Sequence, residues 1–187
     1  MAPYLVCITG ASGAIYGLRI IRALAASGAE VHALASEWGA RVVQEESGRP
    51  FGHWCAEYGV ARLYEPSDMA APLSSGSFRL AGTVIAPCSM ATAAALATGN
   101  ARTLAQRAGA VALKERWPLV VLPREAPLSI PDLKNLLALA EAGAAILPAA
   151  PGFYHKPASI DELVDHIVGK VLDRLGVQHS LFKRWEG

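Results

Sequence analysis

The sequence predicts an α/β fold in which helices cover both faces of a parallel sheet. Short apolar runs that stop at glycine or proline alternate with longer segments of helical spacing, and such runs are typical of buried parallel strands. Parallel strands that follow one another are joined by right-handed crossovers, which usually carry a helix. The chain has 187 residues and no linker, repeat or low-complexity segment, so we expect one domain spanning residues 1–187. Together these observations predict a Rossmann-like, doubly wound sheet.

The first half of the chain contains two strand–helix pairs and then an irregular stretch. The predicted elements are a strand at residues 4–9, a helix at 14–27, a strand at 30–35 and a helix at 37–46. Gly10 stops the first strand, and Gly28 ends the first helix as a C-cap does. We expect residues 47–77 to be irregular, with a short helix near 53–58 and a hydroxyl-bearing loop at 73–77.

The second half repeats the alternation of strands and helices. Its predicted elements are a strand at residues 83–86, helices at 89–97 and 103–116, a strand at 119–122, a helix at 131–141, a strand at 144–147 and a helix at 160–175. Ser159 opens the last helix, and Glu162 stands where the second half of a capping box belongs.

Composition and charge exclude several classes of protein. A net charge of +1 gives no general attraction to nucleic acid or to an anionic membrane. Three cysteines do not make a disulfide framework, and we expect Cys7 and Cys88 to be reduced and buried. Five scattered histidines do not indicate a metal site. Since no secretory signal and no membrane span is recognisable, we expect a cytoplasmic location.

Small and hydroxyl-bearing residues follow the predicted strands. In open parallel sheets, ligands bind beyond the carboxyl ends of the strands. The residues there are Gly10 to Gly13, Ser36, Pro87 to Met90, and the pair Arg124 and Glu125. We interpret Arg124 and Glu125 as site residues rather than a surface ion pair, because a strand end between prolines is a rigid position at this edge.

The glycine turn after the first strand has two interpretations. It is either an anion site at a helix start or a tight turn that needs small residues. The spacing differs from the dinucleotide motif, and Ser36 stands where an acidic residue would hold a nicotinamide ribose, so a nicotinamide dinucleotide is disfavoured and a mononucleotide stays open. If backbone approach to a ligand is what matters, a valine at Gly10 would block that ligand without disturbing the fold. Similarly, Ser89 and Thr92 are either a helix cap or part of a flavin site.

Several polar residues outside this edge also have two interpretations. Arg107 and Lys114 are seven residues apart, which places both on one side of a helix. They form either a solvated face, which is the usual outcome for two cations on a helix, or a phosphate site, for which the surrounding alanine and leucine residues strengthen the case. Tyr154 is either an anchor for a proline-rich loop or a functional residue. For Lys170, exposure to solvent is the ordinary expectation.

Taken in order, these motifs resemble those of the UbiX family of flavin prenyltransferases, over essentially the whole chain. The residues that carry the resemblance are Thr9-Gly10-Ala11-Ser12-Gly13-Ala14, Pro87-Cys88-Ser89, Arg107-Ala108, Leu113-Lys114-Glu115-Arg116, Pro123-Arg124-Glu125-Ala126-Pro127, Pro151-Gly152-Phe153-Tyr154 and Arg184-Trp185. The Leu-Lys-Glu-Arg and Pro-Arg-Glu-Ala-Pro segments, followed by Phe-Tyr, are the specific part, whereas the glycine motif alone is not.

The resemblance implies an activity without a metal. The family joins a dimethylallyl group from dimethylallyl phosphate to N5 and C6 of reduced FMN, although the sequence leaves phosphate and pyrophosphate open. The prenylated FMN serves UbiD-type decarboxylases, including one in ubiquinone biosynthesis. Family members are homo-oligomers, commonly dodecamers, whose active sites lie between subunits.

The resemblance also assigns residues to each part of the site. It implies FMN contacts at Gly10, Ala11, Ser12, Ser36, Ser89, Met90, Ala91, Thr92 and Arg124. It implies contacts to the substrate phosphate at Ser75, Arg107, Lys114, Tyr154 and Lys170. It implies catalytic roles for Glu125, Ser12, Glu46 and Lys114. Glu125 has two possible roles, as a proton relay or as a group that positions the cations.

Two departures and two rival functions accompany the resemblance. Many members have lysine where Ala91 stands and arginine where Lys170 stands, and a lysine lacks the bidentate fork of arginine. One rival is a flavin-dependent cysteine decarboxylase, whose Pro-Ala-Ser-Ala-Asn-Thr signature lacks its Asn in residues 87–92 of this chain. The other is a non-catalytic subunit that carries FMN, which the cation set and Glu125 disfavour.

Overall fold

The computed structural model describes residues 2–185 and contains one six-stranded sheet in which every pairing is parallel. The strands are β1 Tyr4–Ile8, β2 Val31–Ala35, β3 Arg62–Tyr64, β4 Gly82–Cys88, β5 Leu119–Pro123 and β6 Ala145–Ile146. Their order across the sheet is β3-β2-β1-β4-β5-β6. This order reverses direction between β1 and β4, as in a doubly wound fold, so the predicted fold class is confirmed.

The helices begin and end where local chemistry requires. They are α1 Ala14–Ala26, α2 Glu37–Ser47, α3 Phe51–Glu57, α4 Met90–Ala97, α5 Leu104–Glu115, α6 Ile130–Glu141 and α7 Ile160–Leu175. A serine or threonine side chain accepts a backbone N–H at the start of five of them, at Ser36, Ser89, Thr103, Ser129 and Ser159. Such caps satisfy one of the free N–H groups of each helix start.

The two faces of the sheet are covered by different helices. α1 and α7, with the buried residues of α2 and α3, cover one face, and α4, α5, α6 and the segment 71–80 cover the other. α1 lies very close to the sheet at Gly17. A Cβ there would lie 2.7 Å from Cγ1 of Ile8 and would clash with the carbonyl oxygen of Ala86. Gly17 therefore sets how near α1 can come to β1 and β4.

One strand of the sheet, β3, was not predicted from the sequence. β3 lies within residues 47–77, which we expected to be irregular, and it pairs with β2. It has only three residues, of which Arg62 and Leu63 are exposed, so it shows no apolar run. The same stretch contains a short 3-10 helix, Pro72–Ser74. Elsewhere the predicted elements are found, with ends that differ by a few residues.

The cysteines are buried and unpaired, as predicted for Cys7 and Cys88. Burial raises the pKa of Cys55 and of Cys88 to about 12, so both thiols stay protonated. Between residues 2 and 185, no helix has both the length and the apolar character needed to cross a membrane. In the same part of the chain, no three His, Cys, Asp or Glu side chains gather as a metal site requires.

Candidate functional site

The carboxyl ends of β1 and β4 lie side by side, and their loops lead to helices on opposite faces of the sheet. Thr9, which is 1% exposed, ties these two loops together. Its hydroxyl donates to the carbonyl of Pro87 at 2.9 Å and accepts the N–H of Ser89 at 2.8 Å. From the sequence Thr9 was predicted only as the end of the first strand and the first residue of the glycine motif, although a polar residue at the end of an apolar strand is itself a usable signal.

The glycine turn is held by a carboxylate of the chain itself. Gly13 has a φ of 98°, which favours glycine. The carboxylate of Glu46 accepts the N–H of Gly13 at 2.9 Å and that of Ala14 at 2.8 Å. The positive φ of Gly13 fits a tight turn, and a carboxylate of the chain itself takes the N–H groups of Gly13 and Ala14 at the start of α1. Binding of a ligand at this turn stays a prediction. Gly10 and Ser12 remain exposed beside the carboxylate.

Gly10 is required for packing, and a valine there would disturb the fold. A Cβ at Gly10 would lie 2.6 Å from the Cβ of Trp38 in the first turn of α2. The expectation that this substitution leaves the fold intact is therefore wrong. α2 is placed by Ser36, whose N–H bonds the carbonyl of Ile8 at 2.9 Å and whose hydroxyl accepts the N–H of Gly39 at 3.0 Å.

The start of α4 is a second loop of the same edge. Ser89 caps this helix by accepting the N–H of Thr92 at 3.3 Å, and its hydroxyl donates to the Thr92 hydroxyl at 3.1 Å. Met90 is half-buried and Ala91 is exposed. The cap is confirmed, and the role of these residues in binding flavin stays a prediction.

Arg124 links the end of β5 to the glycine turn. Its Nε donates to the carbonyl of Ser12 at 2.9 Å, and its backbone N–H bonds the carbonyl of Cys88 at 3.4 Å. The exposed side chain of Glu125 turns back and accepts the N–H of Ala126 at 3.0 Å. Among residues 2–185, Arg124 and Glu125 form no ion pair with each other, and the Nη atoms of Arg124 make no hydrogen bond. We name the group formed by Gly10 to Ser12, Ser36, Ser89 to Thr92, Arg124 and Glu125 the rim group.

A second group lies on α5. Arg107 donates from Nε to the carbonyl of Ser74 at 3.0 Å, and Lys114, paired with Glu115, lies beside Gly76. The hydroxyl of Ser75 lies 2.8 Å from that of Ser77 in the same loop. The structure thus brings Ser75, Arg107 and Lys114 to one segment, residues 74–77, and we call these three residues the α5 group.

A third group contains Tyr154 and Lys170. Tyr154 lies between the rings of His155, His166 and Trp185, and its hydroxyl is 3.3 Å from Nε2 of His166. The ammonium of Lys170 lies 5.4 Å from the centre of the Phe182 ring, which also packs on His166. We call these residues the C-terminal cluster, defined as Tyr154, His155, His166, Lys170, Phe182 and Trp185. No sequence pattern pointed to His166.

The C-terminal cluster is closed by the last described residues of the chain. Asp173 on α7 accepts from Arg184 at 2.7 Å and lies 3.1 Å from Nε2 of His179. The hydrogen bond from Arg184, with a smaller contribution from His179, holds the pKa of Asp173 below its usual range. These bonds attach the segment that carries Phe182 and Trp185 to α7.

Glu46 borders two open cavities. One, of about 430 Å³, is lined by Ser12, Trp38, Arg41, Val42, Glu45 and Glu46 beside the glycine turn. The other cavity, of about 360 Å³, lies beside α1, and Ile15, Arg19 and Arg22 of that helix line it. Glu46 is therefore reachable from solvent on both sides while its oxygens hold the start of α1.

The fold and the rim group define the class of protein. The position between β1 and β4, where hydroxyl-bearing loops meet, is where doubly wound sheets bind nucleotides. A model of the Flavoprotein family matches residues 2–172, which is most of the chain. The class is thus that of the flavoproteins.

Individual relatives narrow this class. The flavin prenyltransferase UbiX of Methanothermobacter thermautotrophicus is 43% identical over 183 residues, which cover 98% of this chain and 95% of the relative. A UbiX protein crystallised with FMN and dimethylallyl pyrophosphate has a TM-score of 0.96 at 39% identity, covering 100% of this chain and 98% of that one. A dodecameric, FMN-dependent UbiX-like decarboxylase from Escherichia coli has a TM-score of 0.94 at 39% identity, covering 99% of this chain and 100% of that one. The chain belongs to the UbiX family of flavin prenyltransferases.

A cysteine decarboxylase of known structure is similar to this chain in fold. The peptidyl-cysteine decarboxylase EpiD has a TM-score of 0.63 at 16% identity, covering 94% of this chain and 99% of its own. Identity at that level extends to the architecture and not to the chemistry.

Proposed function

We propose that residues 1–187 form one domain that joins a dimethylallyl group to reduced FMN and so makes prenylated FMN. The observation that carries this proposal is 43% identity to a named flavin prenyltransferase over 98% of the chain. A UbiX relative binds FMN together with dimethylallyl pyrophosphate. We propose FMN and dimethylallyl phosphate as the ligands of this chain.

The residues of the rim group suit FMN. The first N–H groups of α4 have no partner within the helix, and with the helix dipole they favour an anion. The Nη atoms of Arg124 supply a charged, bidentate donor for a phosphate, and the exposed turn at Gly10 and Ser12 allows close approach of the backbone. We therefore assign the FMN contacts to Gly10, Ala11, Ser12, Ser36, Ser89, Met90, Ala91, Thr92 and Arg124.

The remaining residues hold the prenyl phosphate and manage its charge. Reduced FMN, when bound, supplies the nucleophilic positions N5 and C6. Departure of the phosphate leaves negative charge on its oxygens, and donors fixed in advance lower the energy of that charge. We assign this task to Ser75, Arg107, Lys114, Tyr154 and Lys170. Proton transfer falls to Glu125, Ser12 and Glu46, with Lys114 beside them.

Three separate groups in one chain favour a site completed by neighbouring copies. α5 has 12 residues and so extends about 18 Å. Its last turn, with Lys114, leads into the start of β5, whereas Arg124 follows the end of β5. Within one chain, Lys114 therefore lies towards the amino ends of the strands and Arg124 lies at their carboxyl ends. We propose that the α5 group and the C-terminal cluster act on the rim group of another subunit.

An exposed apolar face on α6 suits such an assembly. Ile130, Leu133 and Leu137 share one face of α6 and are 70%, 53% and 59% exposed. Contiguous exposed apolar surface is typical of protein interfaces. Since a UbiX-like relative is dodecameric, we propose a dodecamer, and light scattering on the purified protein would measure its mass.

We place the enzyme in the cytoplasm and its product with a UbiD-type decarboxylase, such as that of ubiquinone biosynthesis. The family membership supports this assignment. A UbiD-type decarboxylase purified from cells that lack the enzyme should be inactive, and prenylated FMN from this enzyme should activate it.

Analysis of the reaction product tests the central proposal. Purified protein is incubated with reduced FMN and dimethylallyl phosphate in the absence of oxygen, and the mass of the extracted flavin is measured by mass spectrometry. A flavin heavier by one dimethylallyl group supports the proposal. Unchanged FMN would favour a carrier subunit, and loss of carbon dioxide from a peptide with a terminal cysteine would favour the decarboxylase.

The phosphate site is tested by Lys114→Ala. The change should raise the KM for dimethylallyl phosphate and leave FMN affinity within about twofold, because it removes a cation that we assign to the prenyl phosphate and not to FMN. Arg62→Ala removes an exposed cation of β3 that belongs to none of the three groups; it is the control and should behave as wild type. Equal turnover of Lys114→Ala and Arg62→Ala at all substrate concentrations would remove Lys114 from the phosphate site.

The two roles of Glu125 predict different failures of Glu125→Gln. A glutamine cannot accept the proton, so if Glu125 is a proton relay, formation of the bond to N5 stays normal and ring closure to C6 slows. If Glu125 positions the cations, the bond to N5 slows first. Stopped-flow absorbance separates the two phases because the flavin conjugation differs between them. We favour the proton relay, and normal rates in both phases would exclude either role.

A further inference from the structure

The hydroxyl of Tyr154 has a neighbour that determines where its proton points. Nδ1 of His166 accepts the backbone N–H of Gly152 at 3.3 Å. A ring nitrogen that accepts a hydrogen bond carries no proton, so the proton of the neutral imidazole sits on Nε2. Nε2 lies 3.3 Å from the Tyr154 hydroxyl oxygen, so Nε2–H donates to that oxygen.

This arrangement leaves the Tyr154 hydroxyl with one free role. Its oxygen is taken as an acceptor, and its O–H must therefore donate in another direction. Among residues 2–185, His166 is the hydrogen-bonding partner of the Tyr154 hydroxyl. The Tyr154 side chain is 44% exposed, and its O–H therefore points towards the open side of the C-terminal cluster.

The surroundings of His166 maintain this tautomer. His166 is 6% exposed, and the ring of His155 stacks on it with centres 5.0 Å apart. Burial, His155 and the nearby Lys170 all lower the pKa of His166, which keeps its imidazole neutral. A protonated ring would instead set a second N–H against that of Gly152. Both ring nitrogens of His155 are buried without a hydrogen bond in the described chain, so His155 does not compete for the Tyr154 hydroxyl.

We propose that His166 is a positioning residue, which holds the Tyr154 hydroxyl as a donor aimed at an oxygen of the prenyl phosphate. The inference rests on the proposed function, because it takes Tyr154 as a contact to that phosphate. His166 itself does not touch the substrate. It acts by removing the alternative in which the hydroxyl donates inwards, so that the donor is oriented before the phosphate arrives.

A double-mutant cycle tests the coupling. His166→Phe keeps a ring of similar shape without a donor, and it should raise the KM for dimethylallyl phosphate roughly 3- to 10-fold, the worth of one ordinary hydrogen bond. FMN affinity should be unchanged. His166→Gln, which can accept from Gly152 and donate to Tyr154, should restore the wild-type KM. In a Tyr154→Phe background, His166→Phe should add nothing.

The tautomer is measured independently of activity. Nitrogen NMR of the whole protein labelled at histidine should show an unprotonated Nδ1 and a protonated Nε2 for the signal that His166→Gln removes. A proton on Nδ1, additive effects of His166→Phe and Tyr154→Phe, or a wild-type KM in His166→Phe would each overturn the inference. A wild-type KM in Tyr154→Phe would overturn it together with the phosphate contact. Absence of prenylated flavin from the wild-type protein is the separate result that defeats the proposed function.

Discussion

Removing the hydroxyl of Thr9 should weaken both the fold and the FMN site. Thr9→Val keeps the branched shape at a position that is 1% exposed. The change removes the donor to the Pro87 carbonyl and the acceptor of the Ser89 N–H. The Pro87 carbonyl keeps the backbone N–H of Thr9 at 3.1 Å, so the Ser89 N–H is the group left without its partner.

The cost follows from that one orphaned donor. A fully buried N–H without an acceptor costs about 1–3 kcal/mol, and the lost hydrogen bond from Thr9 to Pro87 adds about 1 kcal/mol. Because the Ser89 N–H is only partly buried, we expect the free energy of unfolding to fall by about 2–3 kcal/mol. Because Ser89 begins α4, FMN affinity should fall with it.

Urea denaturation at a fixed protein concentration measures the stability, and fluorescence titration measures FMN affinity. The control is Thr98→Val at the end of α4, where an exposed threonine hydroxyl donates to the carbonyl of Ala94 at 2.8 Å. Water can replace that bond, so the control should change stability by no more than about 0.5 kcal/mol. If Thr9→Val and Thr98→Val unfold at the same urea concentration, the account of the tie between the loops is wrong.

Three further predictions concern packing, charge and pH. Gly17→Ala should destabilise the protein by about 3 kcal/mol or more, because the new Cβ clashes with the sheet. Gly52→Ala also lies in a helix, but the nearest atom to its new Cβ is 3.8 Å away, so it should be neutral or stabilising by up to about 1 kcal/mol in the same urea denaturation. Equal stabilities of the two variants would contradict the packing argument. Glu46→Gln should cost about 1 kcal/mol by weakening the anion at the start of α1, and Glu45→Gln, exposed on the same helix, should cost only a few tenths by thermal melting. Burial lowers the pKa of His166, so the stability that comes from the neutral ring is complete above the ordinary histidine pKa of about 6.5 and is lost as pH falls towards the lower pKa of the folded state. Wild type should therefore lose stability below about pH 6.5 more steeply than His166→Gln does. Parallel pH curves for the two proteins would count against a neutral His166.

The central strands could be predicted because buried strands consist mostly of apolar residues, and such runs are visible in the sequence. β1, β2, β4 and β5 are almost entirely buried and are apolar almost throughout. β3 could not, because an edge strand of three residues is held by its neighbours. Its Tyr64 hydroxyl lies 3.2 Å from Nδ1 of His32 on β2, and this contact leaves no periodic pattern in the sequence.

The same contrast applies to the site. The rim group could be predicted because the carboxyl ends of parallel strands meet at one edge. The hydrogen bond from Gly13 to Glu46 joins residues 33 apart, and the hydrogen bond from Gly152 to His166 joins residues 14 apart. Such pairs depend on how α1, α2 and α7 pack, which no local spacing encodes. The close packing of Gly10 on Trp38 likewise joins residues 28 apart and leaves no local pattern in the sequence.

The tie at Thr9 also bears on how this loop can be re-engineered or diverge. Thr9 binds the loop after β4 through two backbone groups, the carbonyl of Pro87 and the N–H of Ser89. Every amino acid has such a carbonyl, and every amino acid except proline has such an N–H. The attachment to β1 therefore does not depend on the side chains at positions 87 and 89, as long as residue 89 is not proline. The Ser89 side chain has the separate task of capping α4. A loop transplanted here from another protein should therefore keep the threonine, the loop length and a helix-capping residue at position 89, so that both its attachment to β1 and the start of α4 are preserved.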